Sequence, residues 1–196
     1  MNPVALLNDK HDKSNAKRFI GNAQLNYKVH GFEDLSLNLN LGLDWSKSDG
    51  TVDVAPGTEM SFHNTQESGS GYHNNYSQIR RDQTLEFYAQ YDKTLGKHTF
   101  NAMAGYSWQH FYNSTFNEKY KADGTLPTAS DYYLSSPNTF RTEYFLVSFF
   151  GRVNYSFNDR LLVTATLRDD GTSRFANNKW GLFPSVAVSY NFGKER

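Results

Sequence analysis

From Leu35 to Trp45 every odd position is leucine or tryptophan, and the even positions between them are Ser36, Asn38, Asn40, Gly42 and Asp44. Successive side chains of a strand point to opposite faces, so this period of two puts all the apolar groups on one side. A helix would scatter the same five leucines around its circumference. Few patterns constrain a chain more. These 11 residues form a strand with one apolar and one polar face.

The pattern recurs six times. Phe19, Gly21, Ala23, Leu25, Tyr27 and Val29 alternate with Ile20, Asn22, Gln24, Asn26 and Lys28. Similar sets run through Leu85–Tyr91, Phe100–Trp108, Phe145–Tyr155, Leu161–Leu167 and Val186–Phe192. Seven strands and no helix are therefore predicted. Short turns are expected at His30–Asp34, Leu95–His98 and Ser156–Arg160, where Gly31, Gly96 and Asn158-Asp159 supply turn chemistry. Long connections are expected at Ser46–Asp82, Asn113–Thr142 and Asp170–Leu182, on every second junction and hence at one end of the sheet. The expected fold class is all-β, an antiparallel up-and-down meander.

Composition removes other classes. No apolar run approaches the ~18 residues of a membrane-spanning helix. Twenty basic and twenty acidic residues cancel, which leaves no basic stripe for nucleic acid. The absence of cysteine excludes disulfides and thiolate metal sites. The start of the chain, Met1 to Leu7, has too short an apolar stretch and no basic lead for a targeting signal.

Two architectures present a sheet with one apolar face. In a soluble β-sandwich that face is buried against a second sheet, and such a module could bind carbohydrate through loop aromatics. In a transmembrane β-barrel it meets lipid, through strands of about 9–11 residues. Three features favour the barrel wall. Leu35–Trp45 is longer than the usual strand of about 5–6 residues. Charges on the apolar face, Lys17, Lys93, Glu143, Asp169 and Lys194, are expected at strand ends, whereas Asp44, Glu86, Arg152 and Arg168 are on the polar face. Tyr27, Tyr91, Tyr155 and Tyr190 each close an apolar–polar–Tyr triplet on the apolar face. Tyrosine settles where hydrocarbon meets water, so these four read as one membrane girdle, with Trp45 and Trp108 in the opposite one.

The last third resembles a known family. Phe150-Gly151-Arg152-Val153-Asn154-Tyr155 leads through Asn158-Asp159-Arg160 to Thr164-Ala165-Thr166-Leu167-Arg168. Then follow Asp170-Gly171-Thr172-Ser173-Arg174-Phe175, Trp180-Gly181 and Phe183-Pro184-Ser185. This order is similar to the barrel signature of the SusC/RagA family of TonB-linked outer-membrane transporters. The resemblance extends to Asn2–Leu7 and the Arg18–Tyr27 strand. It implies import of large nutrients such as glycans or peptides, in the outer membrane of a Bacteroidetes-like Gram-negative cell. It further implies a plug, the remaining barrel strands, TonB and a SusD-like lipoprotein as partners. Residues 1–196 are then expected to be part of the barrel domain, without plug or signal peptide. The motif residues Asp170, Gly171, Ser173, Arg174, Phe175, Phe183 and Pro184 carry structural roles by the same resemblance.

Candidate site residues follow from the faces. Asn38, Asn40, Asp44, Glu86, Tyr88, Gln90, Ser148, Arg152, Thr164, Thr166 and Arg168 should line the lumen or touch the plug. The aromatics Phe62, Tyr72, Tyr76, Tyr120, Tyr132 and Tyr133 are expected in loops, where they could stack on sugars. Asp170 and Gly171 are expected in a turn. The six histidines, expected mostly in loops or turns, lack metal-ligand spacing. No nucleophile, nucleotide or metal motif is present, so neither an enzyme nor a cofactor is expected.

Overall fold

A computed structural model describes residues 3–64, 69, 71–121 and 138–194. The elements run α1 (Pro3–Asp9), β1 (Lys10–Lys28), β2 (Leu35–Val54), α2 (Glu59–Asn64), β3 (Tyr72–Leu95), β4 (His98–Lys121), β5 (Asn138–Phe157), β6 (Leu161–Thr172) and β7 (Trp180–Tyr190). A 3-10 turn over Phe192–Lys194 follows. All seven strands lie in one sheet, in the order of the chain from β1 to β7. No helix among the described residues is long and apolar enough to cross a membrane.

The register keeps like with like. Val153 faces Ala165, which faces Val186, and Tyr155 faces Val163, which faces Val188. One residue along, Asn154 faces Thr164, and Arg152 faces Thr166 and then Ser185. A slip by one residue would mix the two faces, so the alternation fixes this pairing. Tight turns close the short connections: Gly31 and Gly96 take φ +79° and +62°, and Asn158 and Asp159 take +53° and +54°. Two neighbouring turns are tied together, with the Asn158 amide donating to Lys97 O at 2.7 Å, and the Asp92 amide of β3 donates to Asp34 O at 2.8 Å beside the first turn. Lys93 also pairs with Asp34.

The chain divides into two compact units. One comprises Met1–Phe19, Asp44–Arg81 and Tyr112–Glu143. Its buried apolar residues are Val52, Val54 and Met60, with Ser61 fully enclosed beside them. Gly71, at φ +68°, closes this cluster; a β-carbon there would stand 2.3 Å from the Val54 carbonyl oxygen.

The other unit comprises Ile20–Leu43, Asp82–Phe111 and Tyr144–Arg196, and it is built inside out. Its apolar face is bare: Leu25, Val186 and Val188 are 62%, 74% and 68% exposed, and Phe87, Phe149 and Leu167 are exposed with them. On its polar face Asn38 and Ser148 are buried, each at 4% exposure. Water would not tolerate so large an uncovered apolar surface on a soluble domain. The sandwich expectation fails here, since the described strands supply no second sheet to cover that face.

Several expectations need correction. Strand β2 continues to Val54 and β3 begins at Tyr72, so most of the expected Ser46–Asp82 connection is strand. Likewise β4 runs on to Lys121, β5 starts at Asn138, β6 reaches Thr172 and β7 starts at Trp180. Two short helices and a 3-10 turn occur where none was predicted, and Phe192 belongs to that turn rather than to the last strand. Lys17 and Glu143 are inside strands, and Asp169 stands mid-sheet between Phe149 and Leu182, so these charges do not mark strand ends. Asp170 and Gly171 pair with Ser148 and Val147 in β6 and do not make a turn. His11, His73, His98 and His110 are on strands. Strands β3 and β4 are 24 residues each, well beyond the about 9–11 residues of a membrane-spanning strand.

Candidate functional site: the polar face of a membrane wall

The even-numbered residues of β2, β3 and β5, with their odd-numbered counterparts on β4, share the polar face, and hydrogen bonds link them across strands. Asn40 Nδ2 donates to Glu86 Oε2 at 3.1 Å. Asn26 Nδ2 donates to Asn38 Oδ1, which accounts for an asparagine buried without cost. A longer ladder crosses four strands. Gln90 Nε2 donates to Asp92 at 2.8 Å, and Asn101 Nδ2 also donates to Asp92. Asn154 Nδ2 donates to Asn101 Oδ1 at 2.9 Å and Thr164 Oγ1 to Asn154 Oδ1 at 2.9 Å.

Two arginines on this face are held as forks. Arg18 donates from Nε and Nη2 to the two oxygens of Asp44, at 2.9 and 2.6 Å. Arg168 Nε donates to Asp170 Oδ1 at 2.6 Å, and its Nη2 to Ser148 Oγ at 3.1 Å. A cavity of about 330 Å³ opens beside Arg168 and Asp170, lined also by Gln109, Trp180 and Phe183. Arg152 differs: it is exposed and makes no hydrogen bond among the described residues. Tyr88 packs over Gly105 together with Phe150, so close that a β-carbon on Gly105 would stand 2.5 Å from Tyr88 Cβ.

In the unit of Met1–Phe19, Asp44–Arg81 and Tyr112–Glu143, the same pairing persists. Asn74 Nδ2 donates to Asn117 Oδ1 at 3.1 Å, Gln78 Nε2 to Asn113 Oδ1 at 3.2 Å, and the Tyr76 hydroxyl to Asp12 at 3.0 Å. Tyr72 and Tyr76 are in β3, Tyr120 in β4 and Phe62 in α2, so none of these four is in a loop as expected. Phe62 is exposed, and its ring lies over Gly69. Tyr132 and Tyr133 lie outside the described residues. His73 is held between Asp53 and Asn75, and the Asp53 carboxylate raises its pKa.

The four tyrosines expected to form one girdle lie near the ends of their strands. Tyr91 stacks on Phe32 with centroids 5.6 Å apart, and Tyr155 meets Phe100 at 5.0 Å while its hydroxyl contacts His98 Nδ1 at 2.8 Å. Tyr190 meets Phe192 edge-on at 4.7 Å, and Tyr27 is exposed. Trp45 is half-buried in β2. Trp108 joins a cluster in which His110 stacks on Phe145 at 4.3 Å and contacts Gln83 at 3.0 Å. Sequence reasoning missed this buried histidine, although alternation alone puts it on the apolar face. Trp180, part of the Trp180-Gly181 motif, lies over Gly171 and stacks on Phe149 at 6.0 Å.

The motif residues around 170–184 act as a staple. The Phe145 amide donates to Ser173 Oγ at 2.9 Å, and the Ser173 amide returns a bond to Phe145 O at 3.0 Å. Arg174 stacks on Tyr144, 3.6 Å from the ring centre. The Thr172 amide donates to Lys179 O at 3.0 Å, and Asn178 takes φ +51° to bring the chain back. Phe175 is exposed in the connection, and Phe183 and Pro184 face Arg168 and Leu167 in β7.

The sequence profile described as "TonB dependent receptor-like, beta-barrel" matches residues 2–195. The chain belongs to that family. Among TonB-dependent receptors, SusC of Bacteroides thetaiotaomicron is 36% identical over 195 residues, which are 99% of this chain and 19% of SusC. Receptor P3 of Formosa agariphila is 35% identical over 122 residues, 56% of this chain and 12% of P3. The chain thus spans about a fifth or less of the receptors it matches. The solved RagAB peptide transporter superposes with a TM-score of 0.76 at 21% identity, covering 91% of this chain and 20% of that one. Its open-open state gives 0.79 at 18% identity over 96% and 21%. These structures carry the same antiparallel barrel wall. Family membership places the TonB-dependent receptor chain in the outer membrane.

Proposed function

We propose that residues 1–196 form one arc of the β-barrel domain of an outer-membrane transporter that imports large nutrients such as glycans or peptides. Further strands and a plug complete that barrel. The observation that carries this reading is the inverted polarity of the sheet, with apolar side chains bare on one face and Asn38 and Ser148 buried on the other. Such a sheet is stable when lipid covers the bare face and water or a plug meets the ladder. Asn38, Asn40, Asp44, Glu86, Gln90 and Arg168 then line the lumen as a neutralised, hydrogen-bonded wall. Arg152 offers its guanidinium to a plug carboxylate. Phe62, Tyr72, Tyr76 and Tyr120 belong to the outer parts of the chain, where cargo arrives. TonB supplies the energy, and a SusD-like lipoprotein covers the mouth. The chain does no bond-breaking chemistry in this scheme.

Single cysteines in a cysteine-free background of the complete transporter test the wall directly, and residues 1–196 contribute none to be removed. In the complete transporter in cells, Asn38→Cys and Asn40→Cys should react with a water-soluble maleimide once the plug is displaced. Leu39→Cys and Leu41→Cys should react only with a lipid-soluble one. Equal aqueous labelling of both pairs would overturn the reading. Deletion of the gene should abolish growth on the cargo glycan or peptide.

A further inference from the structure

Three residues of the 170–184 motif take no part in the Ser173–Phe145 staple. Asp170, Phe175 and Phe183 instead line the cavity of about 330 Å³ beside Arg168, together with Gln109 and Ser148. All six residues belong to the unit of Ile20–Leu43, Asp82–Phe111 and Tyr144–Arg196. The register sets the cavity on the polar face, since Ser148 faces Asp170 and Arg168 faces Phe183. Its volume is near the lower end of the about 300–1,000 Å³ of small-molecule pockets, which is room for one small ring.

The polar groups of the cavity are fixed in advance. Asp170 Oδ1 and Ser148 Oγ hold Arg168 through its Nε and Nη2, at 2.6 and 3.1 Å. Ser148 is buried, so this clamp is anchored in the wall. It leaves over one donor and one acceptor: Arg168 Nη1 and Asp170 Oδ2 bond nothing among the described residues. The Gln109 amide, with a donor and an acceptor of its own, is likewise unengaged among them. Phe175 and Phe183 are 61% and 58% exposed and make no ring contact among the described residues. Phe183 leans over Gly181, the register partner of Asp170, which sets its ring beside that carboxylate position. Tyr144, by contrast, is already engaged, stacked on Phe111 at 4.7 Å and capped by Arg174 at 3.6 Å.

A hydroxyl both donates and accepts, so two neighbouring hydroxyls match a guanidinium donor beside a carboxylate acceptor. An uncovered aromatic ring packs against an apolar C–H face. A saturated ring with hydroxyls on its edge and C–H groups on its face is a sugar. A charged cargo group finds less here: Arg168 balances Asp170, which leaves no free anion for an amino group. Lys179 lines the cavity without a carboxylate among the described residues, but an exposed lysine is screened by water and salt. We propose that this cavity is a subsite for one neutral pyranose ring of a glycan cargo, with Arg168 and Asp170 on neighbouring hydroxyls and Phe183 against the ring face. The subsite rests on the transporter reading above and narrows the cargo that this point of the wall takes to sugars.

The test uses the complete transporter in mild detergent, with the methyl glycosides of glucose, galactose and mannose as probes. Saturation-transfer NMR should carry magnetisation from the protein to the ring C–H protons of at least one of them at millimolar concentration. Arg168→Gln should weaken that binding by roughly ten-fold, the effect of one charge-assisted hydrogen bond. Phe183→Ala should weaken it by roughly five-fold, whereas Phe183→Tyr keeps the ring and should retain it. Absence of transfer to all three glycosides would refute the subsite, and so would undiminished binding in the Arg168→Gln/Phe183→Ala double variant. Equal or stronger binding of N-acetyl-alanine-N-methylamide would assign the cavity to peptide and overturn the sugar. A preference for methyl glucuronide over methyl glucoside would overturn the neutral ring. Should the double variant not fold, a diazirine-bearing methyl glycoside on the wild type decides: label within residues 168–183 supports the subsite, and label elsewhere refutes it. The Asn38 and Leu39 cysteine labelling described above is read on the same transporter. Asymmetric labelling without sugar binding sinks the subsite alone, whereas equal labelling sinks the wall reading and the subsite with it.

Discussion

Replacing Leu41 by arginine sets the two faces of the wall against each other. Strand β2 begins at Leu35, beside the Gly31 turn, and Leu41 is six residues along it. Six residues cover about 20 Å, which a tilt near 45° turns into about 14 Å of depth, close to the middle of an apolar band about 25 Å tall. Leu41 is 41% exposed, so the new guanidinium would meet lipid directly. At that depth a lipid-facing arginine costs about 2–4 kcal/mol, or roughly 30- to 900-fold in the folding equilibrium. The neighbouring change Asn40→Arg puts the same group on the polar face, beside the Glu86 carboxylate that Asn40 now bonds at 3.1 Å. It should cost less than about 1 kcal/mol. Guanidinium unfolding of the complete transporter in lipid vesicles, followed by loss of the boiling-dependent band shift, measures both. If the two variants differ by less than about 1 kcal/mol, or if Asn40→Arg is the worse, lipid does not cover the leucine face.

Other outcomes follow from local packing. Gly105→Ala would bring a β-carbon within 2.7 Å of the Phe87 carbonyl oxygen and should destabilise the barrel by about 1–3 kcal/mol in the same unfolding assay. Ser173→Ala removes the acceptor of the Phe145 amide, and amide exchange of Phe145 should speed up by roughly five- to ten-fold, as expected for one lost bond of about 1 kcal/mol. The His73–Asp53 pair gives a pH dependence with a definite sign. Asp53 raises the histidine pKa above its ordinary 6.5, so the contribution of the pair is complete below 6.5 and is lost as pH rises through the raised value. Intrinsic-rate-corrected exchange at the start of β3 should therefore quicken between about pH 6 and pH 8. Asp53→Asn should remove that step, and an NMR titration should show the His73 pKa falling.

The membrane halves of the strands were legible because one of their two alternating sets is apolar. Leu35–Trp45 and Phe145–Tyr155 needed nothing more than a period of two. Their outer halves were not, because alternation carries no signal when both faces are polar. In Ser46–Val54 and Tyr72–Arg81 polar residues dominate both sets, and Val52, Val54 and Ile79 are too few to make one set apolar throughout. Helix α1 was overlooked because seven residues give too few turns for a helical period, although Pro3 at its first position suits a helix start. The buried His110 depends on a neighbour 27 residues away, Gln83, and only the register brings the two together. The same holds for the Ser173–Phe145 staple, 28 residues apart, which turns a recognisable motif into a set of contacts.

Because each strand pairs with its neighbours in the chain, the unit of growth is a hairpin. Duplicating one would add two strands without reordering any other, which widens a pore in even steps and leaves every existing ladder intact. Each hairpin also closes its own loop before the next is made, so it can enter the membrane in sequence behind its predecessor. A wall ordered in this way can change its bore over evolutionary time while its assembly line stays the same.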